Sequence, residues 1–382
     1  MDTVVRHFET GHWVRLTTEG PRIASLAPAN GPIEADESET WVAPAFWDIQ
    51  LNGRWGISFS DPDLTVDQVA EIVRAQAALG TARLCPTLIT ADLATLRHGV
   101  ATIAAACERY ADVAARIVGI HLEGPYISPL DGYRGAHPLA AVRDPDWDEF
   151  TTLQAAAGGR IVLMTLAPER PGALDFIRRA VASGVVIALG HSAADGAILR
   201  AAVEAGARLS THLGNGIAAT LPRHPNPIWH QAADDRLMAS LIADGHHLDP
   251  DTLRVLVRAK TPERIILVSD ASPLAGLPPG RYGDWAVDPA GKIVVASTPY
   301  LAGSNQGPAV GLANLIRHAG LTLPQAIATL TAHPAILLGR PAPWLAPGEP
   351  ANIVLLRRGP EDRPISLVAT CVDGAWAEPA IV

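Results

Sequence analysis

The sequence predicts an α/β fold, a (β/α)8 (TIM) barrel with a small β-sandwich domain built from both termini. Three observations carry this. Eight short apolar runs recur between residues 45 and 270, separated by segments with apolar residues at helical spacing. Eight βα units over about 230 residues match the count and length of such a barrel. The two ends of the chain instead show short alternating stretches broken by Gly, Pro and Asp, the pattern of small β-strands. A doubly wound open sheet is the rival architecture, and the near-regular repetition of eight units favours closure.

Taken in order, the chain opens with "HWVRLTT" inside residues 1–44 and ends with "ANIVLLRR" and "SLVATCVDGAWA" inside residues 341–382. Together these predict the small domain, with the barrel over 45–340. The barrel runs are "AFWDIQL" (45–51), "RLCPTLI" (83–89), "RIVGIHL" (116–122), "RIVLMTL" (160–166), "GVVIALG" (184–190), "ARLSTHL" (207–213), "MASLIAD" (238–244) and "RIILVSD" (264–270). Segments such as "TVDQVAEIVRAQAALG" and "DGAILRAAVEAGA" between them predict helices. After the eighth run, "YGDWAVDPAGKIVVAS" predicts a hairpin on an Asp-Pro-Ala-Gly turn. The Pro-rich stretches 273–280 and 340–350 predict a loop and an interdomain linker.

Composition narrows the function classes. Hydrophobic residues make up 48% of the 382 and charged residues 18%, enough for a sizeable core. The net charge of −9 and the lack of a basic run disfavour nucleic acid as a partner, while a local arginine can still hold a small anion. Cys85, Cys107 and Cys371 form no CxxC pair and are expected to be reduced and mostly buried, which suits the cytoplasm. "MDTVVRHFETGHWVRL" is charged and lacks the apolar centre of a signal peptide. No stretch reaches the ~18 uncharged apolar residues of a membrane span. The expectation is a soluble cytoplasmic protein.

Active sites of barrels of this kind sit at the C-terminal ends of the strands. The polar residues there are Gln50 and Asn52, His121 and Glu123, His191, His212, Asp244 with His246 and His247, and Asp270. Singly, each has a plain reading: a histidine bonded into the core, Glu123 in an ion pair, Asp270 capping a turn. Jointly, they bring ionisable groups from five runs to one mouth. Buried strands seldom end so repeatedly in His and carboxylate unless those groups are paired or bind metal. A glutamate with two histidines suits a divalent ion such as zinc with a position left open for water, and an aspartate on the last strand suits a base.

The motifs "HLEGPY" (121–126), "GAHP" (135–138), "GHS" (190–192), "THLGNG" (211–216), "ADGHHL" (243–248), "VSDA" (268–271) and "LAGS" (301–304) stand in one order along the chain. In that order they resemble the N-acetylglucosamine-6-phosphate deacetylases of the amidohydrolase superfamily, over residues 44 to 340. The resemblance implies a TIM barrel with a small β-sandwich, a divalent metal held by Glu123, His191 and His212, and Asp270 as the catalytic aspartate. That aspartate takes a proton from the attacking water and returns it to the leaving amine. By the same resemblance, His247 contacts the substrate near its acetamide carbonyl, and His137, Asn215 and Gly216 lie at sugar-contacting positions. Arg223 falls at the spacing of the arginine that grips the substrate phosphate, usually from the neighbouring subunit of a homodimer. His121 is expected to pack or to orient a ligand.

Two stretches depart from the family pattern. After "THL" the family continues with an aromatic, then Asn-Ala-Met, where this chain has Gly214-Asn215-Gly216-Ile217. Around the arginine the family favours Arg-Glu-Pro-Gly, where this chain has Arg223-His224-Pro225-Asn226. These loops shape the sugar and phosphate pocket, so another N-acylated amino sugar is the alternative substrate. Many amidohydrolases hold a second metal with His-x-His on the first strand. Gln50 and Asn52 stand there instead, and neutral amides are poor ligands for zinc-class ions. One ion per chain is therefore expected, most simply zinc, with Fe, Co, Mn or Ni as alternatives, and Gln50 and Asn52 mark a vestigial second site. A binuclear cyclic-amide hydrolase is disfavoured because "RIVLMTLAPER" lacks the fourth-strand lysine of that type. A catalytically dead sugar-binding protein is disfavoured by Asp270, since binding alone needs no proton shuttle.

Overall fold

The computed structural model describes residues 1–31, 39–359 and 365–380. Its largest element is an eight-stranded sheet: β1 (Phe46–Leu51), β2 (Thr81–Ile89), β3 (Ile120–Glu123), β4 (Ile161–Leu166), β5 (Val186–Leu189), β6 (Leu209–Ser210), β7 (Met238–Leu241) and β8 (Ile265–Leu267). Neighbours pair in chain order and all in parallel. Each strand falls on one of the eight apolar runs. Closure between β8 and β1 occurs at the C-terminal rim, where Asp270 N–H donates to Gln50 O (2.9 Å) and Asn52 N–H to Ala271 O (2.9 Å). The ring is thus shut next to the residues that carry the chemistry.

Inside the ring, Ile49, Cys85, Leu163, Ala188, Leu209, Ile242, Ile266 and Val268 form one apolar cluster drawn from seven strands or their ends, the packed interior expected of this fold. A second, larger cluster lies between the sheet and helices such as Val66–Ala75 and Leu93–Arg109. The first of these helices starts at a reciprocal cap: Thr65 accepts from Gln68 N–H, and the Gln68 side chain accepts from Thr65 N–H. Its buried stripe is Val69, Ala70, Ile72 and Val73. Helix Gly196–Ala205 is capped by Asp195 and ends on Gly206 at φ 119°, a conformation glycine adopts without steric cost.

The terminal strands form one seven-stranded sheet, in the order Ala375–Ala377, Ile365–Val372, Ile353–Arg358, Thr40–Pro44, Asp2–His7, Trp13–Glu19, Arg22–Pro28. This sheet curls on itself. Val5, Ile23, Val42, Ile353 and Cys371 share one buried cluster, and Arg22 bridges Pro350 across the gap. The two halves of one sheet therefore face each other as the layers of the small β-domain. All three cysteines are free and buried. The hairpin after β8 is present and is joined by a further strand, giving Gly280–Tyr282, Trp285–Val287 and Ile293–Val295 in antiparallel order. Among the described residues, no helix is long and apolar enough to cross a membrane.

Candidate active site

Glu123 is the last residue of β3, while His191, His212 and Asp270 follow the ends of β5, β6 and β8. All four are buried. Three sit in left-handed backbone: His191 at φ 49°, His212 at φ 30° and Asp270 at φ 47°. Each such residue costs about 1–3 kcal/mol unless its surroundings hold it, and strain of this kind gathers at functional sites. Here the turn out of the strand swings the side chain over the barrel mouth.

The histidines converge on one carboxylate oxygen. His191 Nε2 lies 3.2 Å and His212 Nε2 2.9 Å from Glu123 Oε1. Burial pushes the Glu123 carboxyl up, but the hydrogen bonds from His191 and His212 outweigh it and hold the group well below the usual carboxylate range. Burial likewise opposes charge on His212, yet Glu123 raises its pKa on balance. One ligand atom from each of the three residues lies within 4.8 Å of the other two. Two imidazoles and a carboxylate, dry and mutually compensated, fit a divalent metal with a coordination position to spare. His191 Nδ1 donates to Tyr133 O (2.9 Å), which fixes its ring with Nε2 facing inward.

Asp270 closes the other side. Asn52 Nδ2 donates to its Oδ1 at 2.7 Å and Gln50 Nε2 at 3.2 Å. Burial, and then repulsion from Glu123, pushes the Asp270 carboxyl up to about 6. The two amides at the His-x-His positions are thus fastened to Asp270. Behind them lies Asp48, which sequence reasoning passed over. It accepts from Ser269 Oγ, Ser269 N–H (3.2 Å) and Gln50 N–H (3.3 Å), and burial pushes it up to about 6. A carboxylate in the middle of "AFWDIQL" was the signal available.

His247 is bound to Asp244, whose Oδ2 accepts from Nδ1 at 2.8 Å. Asp244 also accepts from the N–H groups of His246 (2.8 Å) and His247 (2.9 Å) and from Ser304 Oγ (2.8 Å). Burial pushes Asp244 up, but the bond from His247 outweighs it and holds the group far below its ordinary value. His137 pairs through Nδ1 with Thr90 Oγ1 (2.8 Å), and burial, aided by His191, pushes it down to about 3. His121 turns into the barrel, with Nε2 against Thr165 Oγ1 (2.8 Å) and Nδ1 against Ile49 O (3.2 Å). Burial pushes it down to about 4, so it is a neutral packing histidine.

One open cavity of about 230 Å³ is lined by Glu123, His191, His212 and Asp270 with Asn52, His137, Asn215, Gly216 and His247. Gly216 has φ 59°, and a Cβ there would sit 2.8 Å from His191 Nδ1, so glycine is required beside the ring. Trp285 and Tyr300, from the hairpin region, form part of the rim, and Tyr300 OH donates to Asp131 (2.8 Å) across it. Arg223 is exposed and is not brought to this cavity. Among the described residues, no lysine or arginine lines it.

Comparison with known proteins agrees with the fold. Residues 41–375 match the amidohydrolase family. The N-acetylgalactosamine-6-phosphate deacetylase of Escherichia coli O157:H7 is 33% identical over 342 residues, covering 88% of this chain and 89% of the relative. The N-acetylglucosamine-6-phosphate deacetylase of Bos taurus is 36% identical over 315 residues, covering 78% and 74%. Among solved structures, N-acetyl-D-glucosamine-6-phosphate deacetylase from Mycobacterium smegmatis superposes with TM-score 0.83 at 34% identity, covering 95% of both chains. A mutant of that enzyme in complex with N-acetyl-D-glucosamine-6-phosphate gives TM-score 0.84 at 32% identity, covering 98% of this chain and 99% of that one. Barrel, buried donor triad and aspartate define a hydrolase of amide C–N bonds from a metal-dependent class. The chain belongs to the amidohydrolase family.

Proposed function

We propose that this protein deacetylates an N-acetylhexosamine 6-phosphate, with N-acetylglucosamine-6-phosphate as substrate and glucosamine-6-phosphate and acetate as products. The observation that carries the reading is the meeting of Glu123, His191 and His212 with Asp270 in one cavity. Glu123, His191 and His212 would hold one divalent ion, zinc by donor type, with Fe, Co, Mn or Ni as alternatives. Such an ion, when bound, lowers the pKa of water and polarises the amide carbonyl.

The chain's own residues account for the proton traffic. Asp270, with Oδ1 held by Asn52 and Gln50, has Oδ2 left to take a proton from the attacking water as its oxygen bonds to the acetyl carbon. It then gives that proton to the nitrogen as the C–N bond breaks. His247, oriented through Asp244, is placed to stabilise the carbonyl oxygen as charge develops there. His137, Asn215 and Gly216 form the sugar wall. A phosphate needs a cation that none of the described residues brings to the cavity, and Arg223 from the partner subunit of a homodimer would supply it. Three reduced, buried cysteines and a phosphorylated sugar substrate suit a cytoplasmic setting.

A second reading, the galacto epimer, is favoured by the E. coli relative and by the departures at 214–217 and 223–226, which border the sugar. The test is release of acetate from both epimers, each with and without the 6-phosphate. Preference for one phosphorylated epimer names the substrate. No release from any of the four overturns the proposal.

A further inference from the structure

Asn52 does more than hold Asp270. The residue is 6% exposed and lies in the cavity wall with Asp270 and the Glu123–His191–His212 group. The backbone is clamped on both sides, with its N–H on Ala271 O (2.9 Å) and its O accepting from Phe59 N–H (3.0 Å). The 2.7 Å bond to Asp270 decides the orientation of the amide, because only the NH₂ end can face a carboxylate. That leaves Asn52 Oδ1 as a buried acceptor with no partner among the described residues. A buried polar atom without a partner costs free energy, so one in a cavity wall marks where a ligand's donor goes.

We propose that Asn52 Oδ1 accepts the N–H of the substrate's acetamide and is a catalytic residue of the deacetylation. This rests on the deacetylase reading above. A secondary amide brings one N–H donor to the reacting centre, and its nitrogen must come within hydrogen-bond reach of Asp270 to receive the proton. Asn52 Oδ1 is one carboxamide's width from the nitrogen that bonds Asp270, so a single position satisfies both contacts. Holding the N–H there turns the nitrogen lone pair towards Asp270 as the nitrogen becomes tetrahedral. The proton taken from water is delivered to that lone pair, the C–N electron pair stays on nitrogen, and acetate and the amine leave. Asn52 remains unchanged.

The role predicts selectivity for an amide over an ester, since an ester oxygen would meet Oδ1 with no hydrogen between them. The experiment compares the N-acetyl sugar phosphate with its 2-O-acetyl counterpart, in wild type and Asn52→Ala, with metal content measured in each. Loss of the bond to Asp270 affects both substrates, so the difference isolates the acceptor. The expected result is a loss of kcat/KM at least ~10-fold greater on the amide than on the ester, at unchanged metal content. If Asn52→Ala does not fold, Asn52→Ser, which keeps a donor for Asp270, is read the same way. Equal losses on both substrates overturn the inference, as does loss of a metal equivalent, which would make Oδ1 a ligand. A wild type inert on the acetamide but active on the ester overturns the deacetylase reading and this inference with it.

Discussion

His247 Nδ1 donates to Asp244 Oδ2 at 2.8 Å, and the same carboxylate takes the backbone N–H groups of residues 246 and 247. The ring therefore has one orientation, with Nε2 turned to the cavity that His247 lines. Asp244→Asn should lower kcat by roughly 10–100-fold, the usual scale for removing an outer carboxylate partner of a working histidine. KM should change less and metal content not at all. Steady-state kinetics with elemental analysis checks this, and an unchanged kcat would show that the pair is only structural.

Asp270→Asn should keep fold and metal but lose about 10²–10⁴-fold in turnover, because the amide holds the geometry and cannot accept the proton. Circular dichroism and metal content serve as controls. Near-normal turnover would remove Asp270 from the mechanism.

One tightly held divalent ion per chain is expected after dialysis, and Glu123→Ala should abolish it. Gln50 and Asn52 spend their amide N–H groups on Asp270 and are weak ligands for a second ion. Binding to the folded state alone raises apparent stability, so chelation should lower Tm and re-addition restore it. Two retained equivalents, with activity following the second, would contradict the single-ion site.

Arg223→Ala should weaken use of the phosphorylated sugar far more than of its unphosphorylated analogue. A charge-assisted bidentate contact is worth on the order of 1.5–3 kcal/mol, or about 10–150-fold in kcat/KM. Equal effects on both sugars would make Arg223 structural.

Lys260 is fully buried, and its Nζ donates to Gln231 O (3.2 Å) and Asp234 O (2.7 Å). Burial pulls its pKa down from 10.5 to about 8. Between those values the unfolded chain keeps a proton that the folded chain releases, so this group's contribution to stability rises with pH. It is absent as pH falls through about 8 and complete above 10.5. Denaturant unfolding of wild type and Lys260→Met at pH 7.5 and 9.5 measures the difference. The unfolding free energy of wild type minus that of Lys260→Met should rise from pH 7.5 to 9.5, and a fall would refute the assignment.

Much of this molecule is legible along the chain because period and burial are local properties. A run such as "RIVLMTL" reads as a buried strand wherever it lies, and a His or Glu at its end stands out against apolar neighbours. Barrel, helices, terminal strands, and the positions of Glu123, His191, His212 and Asp270 all followed from such contrasts. What tertiary structure alone decided are relations between distant residues. Asn52 and Asp270 are 218 positions apart, and Asp244 and Ser304 are 60 apart. The first pair meets because the eighth strand closes on the first, and closure is a property of the whole ring. The left-handed backbone at His191, His212 and Asp270 is equally silent in the sequence, since no glycine announces it. The turn is imposed by the barrel rim and sustained by contacts from neighbouring strands. The terminal strands could be read as β, but their curling into one sheet depended on Ile23 and Cys371 finding the same core. A residue's own pattern says whether it will be buried, and only the folded chain says against what.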